Sequence, residues 1–114
     1  MNLSDPDLQN LLAATLTGRG QTSAVICLCA DWCDTCRAYR LVFDQAAAQY
    51  PALVFRWLDI EDEAGMLGEV DVETFPTLVI GDAHAVRFAG PVLPQAGHLT
   101  RLLQGLHGSY LPPS

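Results

Sequence analysis

Four cysteines, Cys27, Cys29, Cys33 and Cys36, fall within a single ten-residue stretch of this 114-residue chain, and they are its densest concentration of reactive side chains. Cysteines this close cannot staple distant parts of a chain as a secreted disulfide framework does, which leaves thiol chemistry or metal binding. Cys33 and Cys36 are separated by Asp34 and Thr35, and the stretch from Asp34 to Tyr50 contains neither Gly nor Pro. Two cysteines at this spacing at the start of a helix close a small disulfide ring without moving the backbone. The first lies at the positive end of the helix, where unpaired amide groups stabilise a thiolate, the nucleophilic form of sulfur. The second is carried into the first turn, more buried, where it attacks a mixed disulfide and releases a reduced product. Cys33 is therefore the candidate nucleophile and Cys36 the resolving thiol.

Zinc ribbons use paired cysteines at the same spacing, and four sulfurs suit zinc or an iron-sulfur centre. Cys27 and Cys29, however, lie on a run that reads as a buried strand, which cannot bend its two side chains into a tetrahedron with the other pair, so no metal is expected. Being two apart on a strand, their side chains share one face. The plain reading is a pair of small buried hydrophobes. The sharper one is that Cys27 reaches Cys36 and forms an alternative disulfide or shields the site from overoxidation. His84, His98 and His107 are distant from the cysteines in sequence and read as solvated. Glu61-Asp62-Glu63 reads as a solvated charge run favoured by a helix start.

The elements that must position the cysteines follow from hydrophobic spacing. Leu8, Leu11, Leu12 and Leu16 mark an amphipathic helix over 5–17, with Ser4 and Asp7 as a capping box and Gly18-Arg19-Gly20 as its end. Ser23 to Cys29 is short, apolar and includes Val25 and Ile26, as in a strand covered on both faces. Asp34 to Tyr50 is the longest helix, closed by Pro51. Leu53 to Ile60 is a second buried strand, followed by a short helix at about 62–68. Residues 77–80 and 85–88 form a hairpin around Gly81-Asp82-Ala83-His84, and Leu99, Leu102, Leu103 and Leu106 mark a final helix. The order gives an α/β fold with a central mixed sheet flanked by helices on both faces, its first two strands parallel because a long helix crosses between them. The cysteine pair sits where a buried strand hands over to a helix.

Composition bounds the partners. Half the residues are apolar and 17% are charged, a globular balance that fits one domain over 1–114. Thirteen acidic residues against six arginines and no lysine give a net charge of −7, which repels nucleic acid and anionic lipid. No apolar run approaches the roughly 20 residues that span a bilayer. The start, Met1 to Asp7, lacks the basic and apolar stretches of a secretory signal, so a cytoplasmic monomer is expected.

At this point the residues resemble the thioredoxin family. Ala30-Asp31-Trp32-Cys33-Asp34-Thr35-Cys36-Arg37 is similar to its tryptophan-preceded active site after the first core strand, and Thr74-Phe75-Pro76-Thr77 is similar to its segment with a cis proline facing the disulfide. The resemblance covers nearly the whole chain and implies the thioredoxin fold and no cofactor. It also implies a substrate groove built from Trp32, Phe75 and Pro76, in which Phe75 offers its backbone to an extended peptide. Gly90, after the last strand, resembles the glycine loop that completes this surface.

The chain also departs from the family pattern. Thioredoxins proper carry Gly-Pro between the cysteines, where this chain has Asp34-Thr35. A carboxylate beside Cys33 opposes its thiolate by like-charge repulsion, partly offset by Arg37, so Asp34 makes the couple more reducing, with Thr35 and Cys27 the other residues expected to tune the pair. The family's buried aspartate aligns with Cys27, and that aspartate's lysine companion aligns with Trp57. Cys36 must then lose its proton to water or to another thiol. The expected activity is thiol:disulfide exchange with protein disulfides, in the reductive direction, with a disulfide reductase or glutathione resetting the pair. The alternative is a thioredoxin-fold binding module with weak redox activity.

Overall fold

A computed structural model describes residues 6–18, 20, 23–30, 32–62, 65, 75–82 and 84–106. Along the chain run α1 (Pro6–Leu16), β1 (Ser23–Cys29), α2 (Asp34–Gln49), β2 (Leu53–Asp59), β3 (Thr77–Asp82), β4 (Val86–Pro91) and α3 (Ala96–Leu106). The strands form one sheet in the order β2-β1-β3-β4, with β1 parallel to β2 and antiparallel to β3, and β3 antiparallel to β4. A parallel neighbour on one side and an antiparallel one on the other make the sheet mixed, and its central strand is the one that carries Cys27 and Cys29.

All seven residues of β1 are buried, because the period of two along a strand sends successive side chains to opposite faces and both faces are covered. Ala24, Ile26 and Leu28 point to one side, where Leu8, Leu11, Leu12 and Leu16 of α1 cover them together with Val54, Leu58, Val79 and Val86. Val25, Cys27 and Cys29 point to the other, against Cys36, Tyr39, Phe43 and Ala46 of α2 and Leu99 and Leu103 of α3. The leucines of α1 recur at three- and four-residue spacing, so one stripe of the helix meets the sheet. Each fully buried leucine contributes about 1.5–3 kcal/mol relative to exposure. The helix ends at Gly18, whose φ of +76° is a left-handed conformation that glycine adopts without a Cβ penalty.

The hairpin strands are longer than their sequence suggests. Gly81 and Asp82 are turn-type residues by composition, yet both belong to β3, and Gly81 pairs with Val86 just past a register shift at Ile80. A Cβ at Gly81 would lie 2.5 Å from the Ala85 carbonyl oxygen and 2.9 Å from Leu12 Cδ1, so the approach of strand to turn and of sheet to helix requires glycine there. Asp82 then organises the turn. Its Oδ1 accepts the backbone N–H groups of His84 and Ala85 at 2.8 Å each, and Arg87 donates to Oδ2 at 3.0 Å. β4 likewise runs on through Gly90 and Pro91. Gly90 is therefore a buried strand residue opposite Leu78, not a loop residue after the last strand. Pro91 is tolerated because β4 is an edge strand, where a missing N–H breaks no ladder on the outer side. The Ser4 cap, most of the short helix at 62–68, Thr74 and the chain beyond 106 lie outside the described residues.

Candidate functional site

The site forms where β1 ends and α2 begins. Ala30, still buried, accepts the Cys33 N–H at 3.0 Å, and the Cys33 carbonyl accepts the Arg37 N–H at 3.1 Å as the first bond of α2. Cys33 is the residue capping the helix, with extended backbone (φ −90°, ψ 115°) and no side-chain capping bond. Its half-buried thiol therefore stands beside the unpaired amide groups of the first turn, where partial positive charge accumulates.

Three residues on, Cys36 faces inward and is 1% exposed, on the side of α2 that lies on the sheet. There it is bonded to Cys29, with a Cα–Cα separation of 5.8 Å, the usual spacing of disulfide-linked residues. The sequence pairs Cys36 with Cys33, and by its sharper reading with Cys27, but in the structure the partner is Cys29. The reason is positional. Cys29 is the last residue of β1, directly beneath the first turn of α2, whereas Cys27 lies one pleat further back. Cys27 remains a free buried thiol, its sulfur 3.6 Å from that of Cys29. Burial pushes the Cys27 thiol far above the ordinary thiol range, and the charge of Arg40 offsets only part of this, so Cys27 stays neutral at physiological pH.

Trp57 is the register partner of Cys27 on β2. The two positions that hold a charged pair in the resembled family are thus adjacent here, and both are filled by apolar or neutral groups. Trp57 packs edge-on against Phe43 with ring centres 5.6 Å apart, and the Arg40 guanidinium lies 4.9 Å over its ring. Tyr39, 1% exposed and in the same core, has a buried hydroxyl with no hydrogen-bond partner among the described residues. Burial, and after it the neighbouring Cys27, push its phenol upward as well.

The outer wall of the site is aromatic. Trp32 is 63% exposed, and its ring meets Phe75 edge-on with centroids 5.6 Å apart. The Phe75-Pro76 peptide is cis, and the Pro76 carbonyl accepts the Val92 N–H at 3.0 Å, tying this segment to the chain just past β4. Gly90 is two residues from Val92, so it lies near Pro76 even though it belongs to a strand. Cys33 and Phe75 both pack against the core cluster that contains Cys36. Trp32, Cys33, Phe75 and Pro76 are thus brought to one end of the sheet by segments more than forty residues apart.

Two features of this site went unread in the sequence. Glu61, which by sequence reads as part of a solvated charge run, accepts a 2.8 Å hydrogen bond from Trp32 Nε1 and so orients the exposed indole. No local signal links residues 29 positions apart. Cys29 was seen to share a face with Cys27, but spacing alone does not say which of the two lies under the helix. Arg37 forms an ion pair with Asp34, both side chains largely exposed, so Arg37 spends its charge on Asp34 at the surface. Thr35 is exposed.

An α/β domain with a thiol at a strand-to-helix junction, beside a Trp32–Phe75 aromatic pair that leads into a cis proline, defines a class of thiol-bearing folds. The Thioredoxin family model matches residues 11–93, and the chain belongs to the thioredoxin family. It is 36% identical over 55 residues to a putative thioredoxin H10 of Arabidopsis thaliana, a match covering 48% of this chain and 36% of that protein. It is 34% identical over 68 residues to putative thioredoxin 2 of Streptomyces coelicolor, covering 59% of this chain and 51% of that one. The matched segments thus span roughly a third to a half of these two relatives' lengths. Among solved structures, the oxidised thioredoxin of Plasmodium falciparum superposes with a TM-score of 0.68 at 12% identity, covering 92% of this chain and 94% of that one. Spinach chloroplast thioredoxin F gives 0.66 at 22% identity, covering 83% and 75%. At such identities these likenesses establish the fold, which is that of thioredoxin.

Proposed function

We propose that the chain is a thiol:disulfide oxidoreductase that reduces protein disulfides through Cys33. The observation that carries this reading is the placement of one half-exposed thiol at the start of α2, beside an exposed aromatic wall, with a buried disulfide-forming cysteine one turn inward. Cys33 as thiolate attacks a substrate disulfide, forming a mixed disulfide and expelling one substrate thiolate. Cys36, when reduced, attacks the Cys33 sulfur, and the second substrate thiolate leaves. Trp32, Phe75 and Pro76 supply the surface on which an extended peptide lies, with Gly90 at its margin. Cys27 sits where the family keeps an acid, and as a neutral thiol it offers no carboxylate to take the proton of Cys36, so turnover is slower than in relatives that have one.

A cytoplasmic monomer reset by a disulfide reductase or by glutathione completes the proposal. Family membership and the cysteine disulfide favour redox chemistry over a purely binding role. Insulin reduction by the full reduced chain, with dithiothreitol as electron source, is the direct test. Precipitation of the insulin B chain faster than with dithiothreitol alone supports the reading, and a rate equal to that background removes it. Trapping with Cys36→Ser protein would then name the substrates, because a mixed disulfide on Cys33 can no longer be resolved from within.

A further inference from the structure

The mechanism above uses two cysteines, but the structure places three sulfurs in a row. Cys36 is bonded to Cys29, Cys29 is in contact with Cys27 at 3.6 Å, and Cys33 stands apart as a free thiol. We propose that Cys29 is a second disulfide partner of Cys36, so that the oxidised chain rests as the Cys29–Cys36 isomer with the Cys33 thiol regenerated. The inference rests on the reading of Cys33 and Cys36 as the reacting pair.

The step conserves electrons. Turnover leaves a Cys33–Cys36 disulfide, two electrons having passed to the substrate. Cys29, on losing its proton, attacks the Cys36 sulfur. The Cys29–Cys36 bond forms, the Cys33–Cys36 bond breaks, and Cys33 departs as a thiolate that takes up the proton. Geometry favours this exchange, since Cys29 and Cys36 already have the Cα separation of an ordinary disulfide. Cys27 is suited to assist. Its neutral thiol lies within reach of the Cys29 sulfur and can donate its S–H to the thiolate there. Cys33 returns to the half-exposed position that meets disulfides from solution.

The resting isomer has a distinct reactivity. Cys33 is again a nucleophile, while Cys36 is held and cannot resolve what Cys33 captures. A small disulfide such as glutathione disulfide therefore gives a lasting adduct: Cys33 bonds to one glutathione sulfur and the other glutathione leaves as a thiol. Only a dithiol reductant that opens Cys29–Cys36 restores resolution. In its oxidised form the chain presents a single accessible thiol, Cys33, that holds its adduct, while Cys27 stays buried.

The test is a thiol map of the full chain, oxidised with stoichiometric diamide and freed of excess reagent. Native alkylation with iodoacetamide followed by mass mapping should find one label per chain, on Cys33, and a Cys29–Cys36 linkage. Cys29→Ala protein, treated alike, should show a Cys33–Cys36 linkage and lose that label, and Cys27→Ala should keep the wild-type pairing. A glutathione adduct formed on Cys33 of the oxidised wild type should persist about tenfold longer than one formed on reduced Cys29→Ala, whose free Cys36 resolves it. A Cys33–Cys36 linkage alone in the wild type, or a Cys27–Cys29 or Cys27–Cys36 linkage, overturns the inference. The wild-type map decides even if Cys29→Ala folds poorly. The two proposals fail separately: insulin reduction without the Cys33 label sinks this one alone, and the label and Cys29–Cys36 linkage without insulin reduction sink the reductase reading alone.

Discussion

The two faces of the sheet are equally buried and differ in almost everything else. On the α1 face, β1 contributes Ala24, Ile26 and Leu28 to a cluster composed wholly of aliphatic side chains. On the face under α2 and α3, the same strand contributes Val25, Cys27 and Cys29, which join Cys36, Tyr39 and a set of aromatic rings. One seven-residue strand thus serves two purposes by alternation alone. Its even-numbered apolar residues hold the domain together, and its odd-numbered residues place sulfur beneath the helix start. Buried cysteine packs as a small hydrophobe, so placing sulfur on this face costs the core little.

The sharpest way to break this comparison is a pair of substitutions. Cys33→Ser should reduce insulin turnover to the dithiothreitol background while leaving the urea unfolding midpoint unchanged or slightly raised, since the half-buried thiol makes no side-chain capping bond and serine is a favoured residue at a helix cap. Leu12→Ala should do the reverse. Leu12 is fully buried in the aliphatic cluster, so its truncation should lower stability by about 2–5 kcal/mol in urea titration, with activity per folded molecule retained. If Leu12→Ala abolishes activity in protein that circular dichroism shows to be folded, the division of labour is wrong.

A smaller effect should follow from pH. Burial by itself raises the Asp82 pKa, but the His84 and Ala85 amides and Arg87 outweigh it and hold the carboxyl below its ordinary value. Because the folded value lies below the unfolded one, this contribution to stability is fully present at neutral pH. It is lost as pH falls through the ordinary carboxylate range toward the depressed value. Urea midpoints at pH 7 and pH 3 should therefore converge in Asp82→Asn relative to wild type, and an unchanged pH slope would remove Asp82 from that role. Trp32→Ala should weaken substrate binding, seen as a raised KM for insulin, with a stability change within about 0.5–1.5 kcal/mol from the lost Phe75 contact. The smallest effect belongs to Asp34→Gly. With Asp34 exposed and paired to Arg37, its influence on Cys33 is screened, so the reduction potential should rise only slightly, read by equilibration with glutathione.

The elements were legible wherever a long apolar pattern met clean punctuation. The bounds of β1 follow from its run of seven apolar or small residues, and α1 follows from its leucine spacing up to Gly18. The hairpin was read too short because Gly81 and Asp82 are turn-formers by composition. What keeps them in β3 is their pairing with Ala24 and Ser23 of β1, which only the fold reveals. At the site, Trp32, Cys33, Phe75 and Pro76 were found together because each belongs to a motif. The Cys29–Cys36 bond and the Trp32–Glu61 contact were not legible, because each depends on how a helix or turn docks on the sheet, and no spacing along the chain encodes that.

β1 is paired along nearly its whole length on both sides, to β2 and to β3, while β2 and β4 are each paired on one side only among the described residues. Its amides should therefore be among the last to exchange with deuterium, opening only when the whole domain unfolds. Cys27 and Cys29 thus ride on the slowest-breathing segment of the molecule, whereas Cys33 sits on the chain leaving it. Local fluctuations can swing the entering thiol toward or away from a substrate while the sulfur beneath it stays fixed.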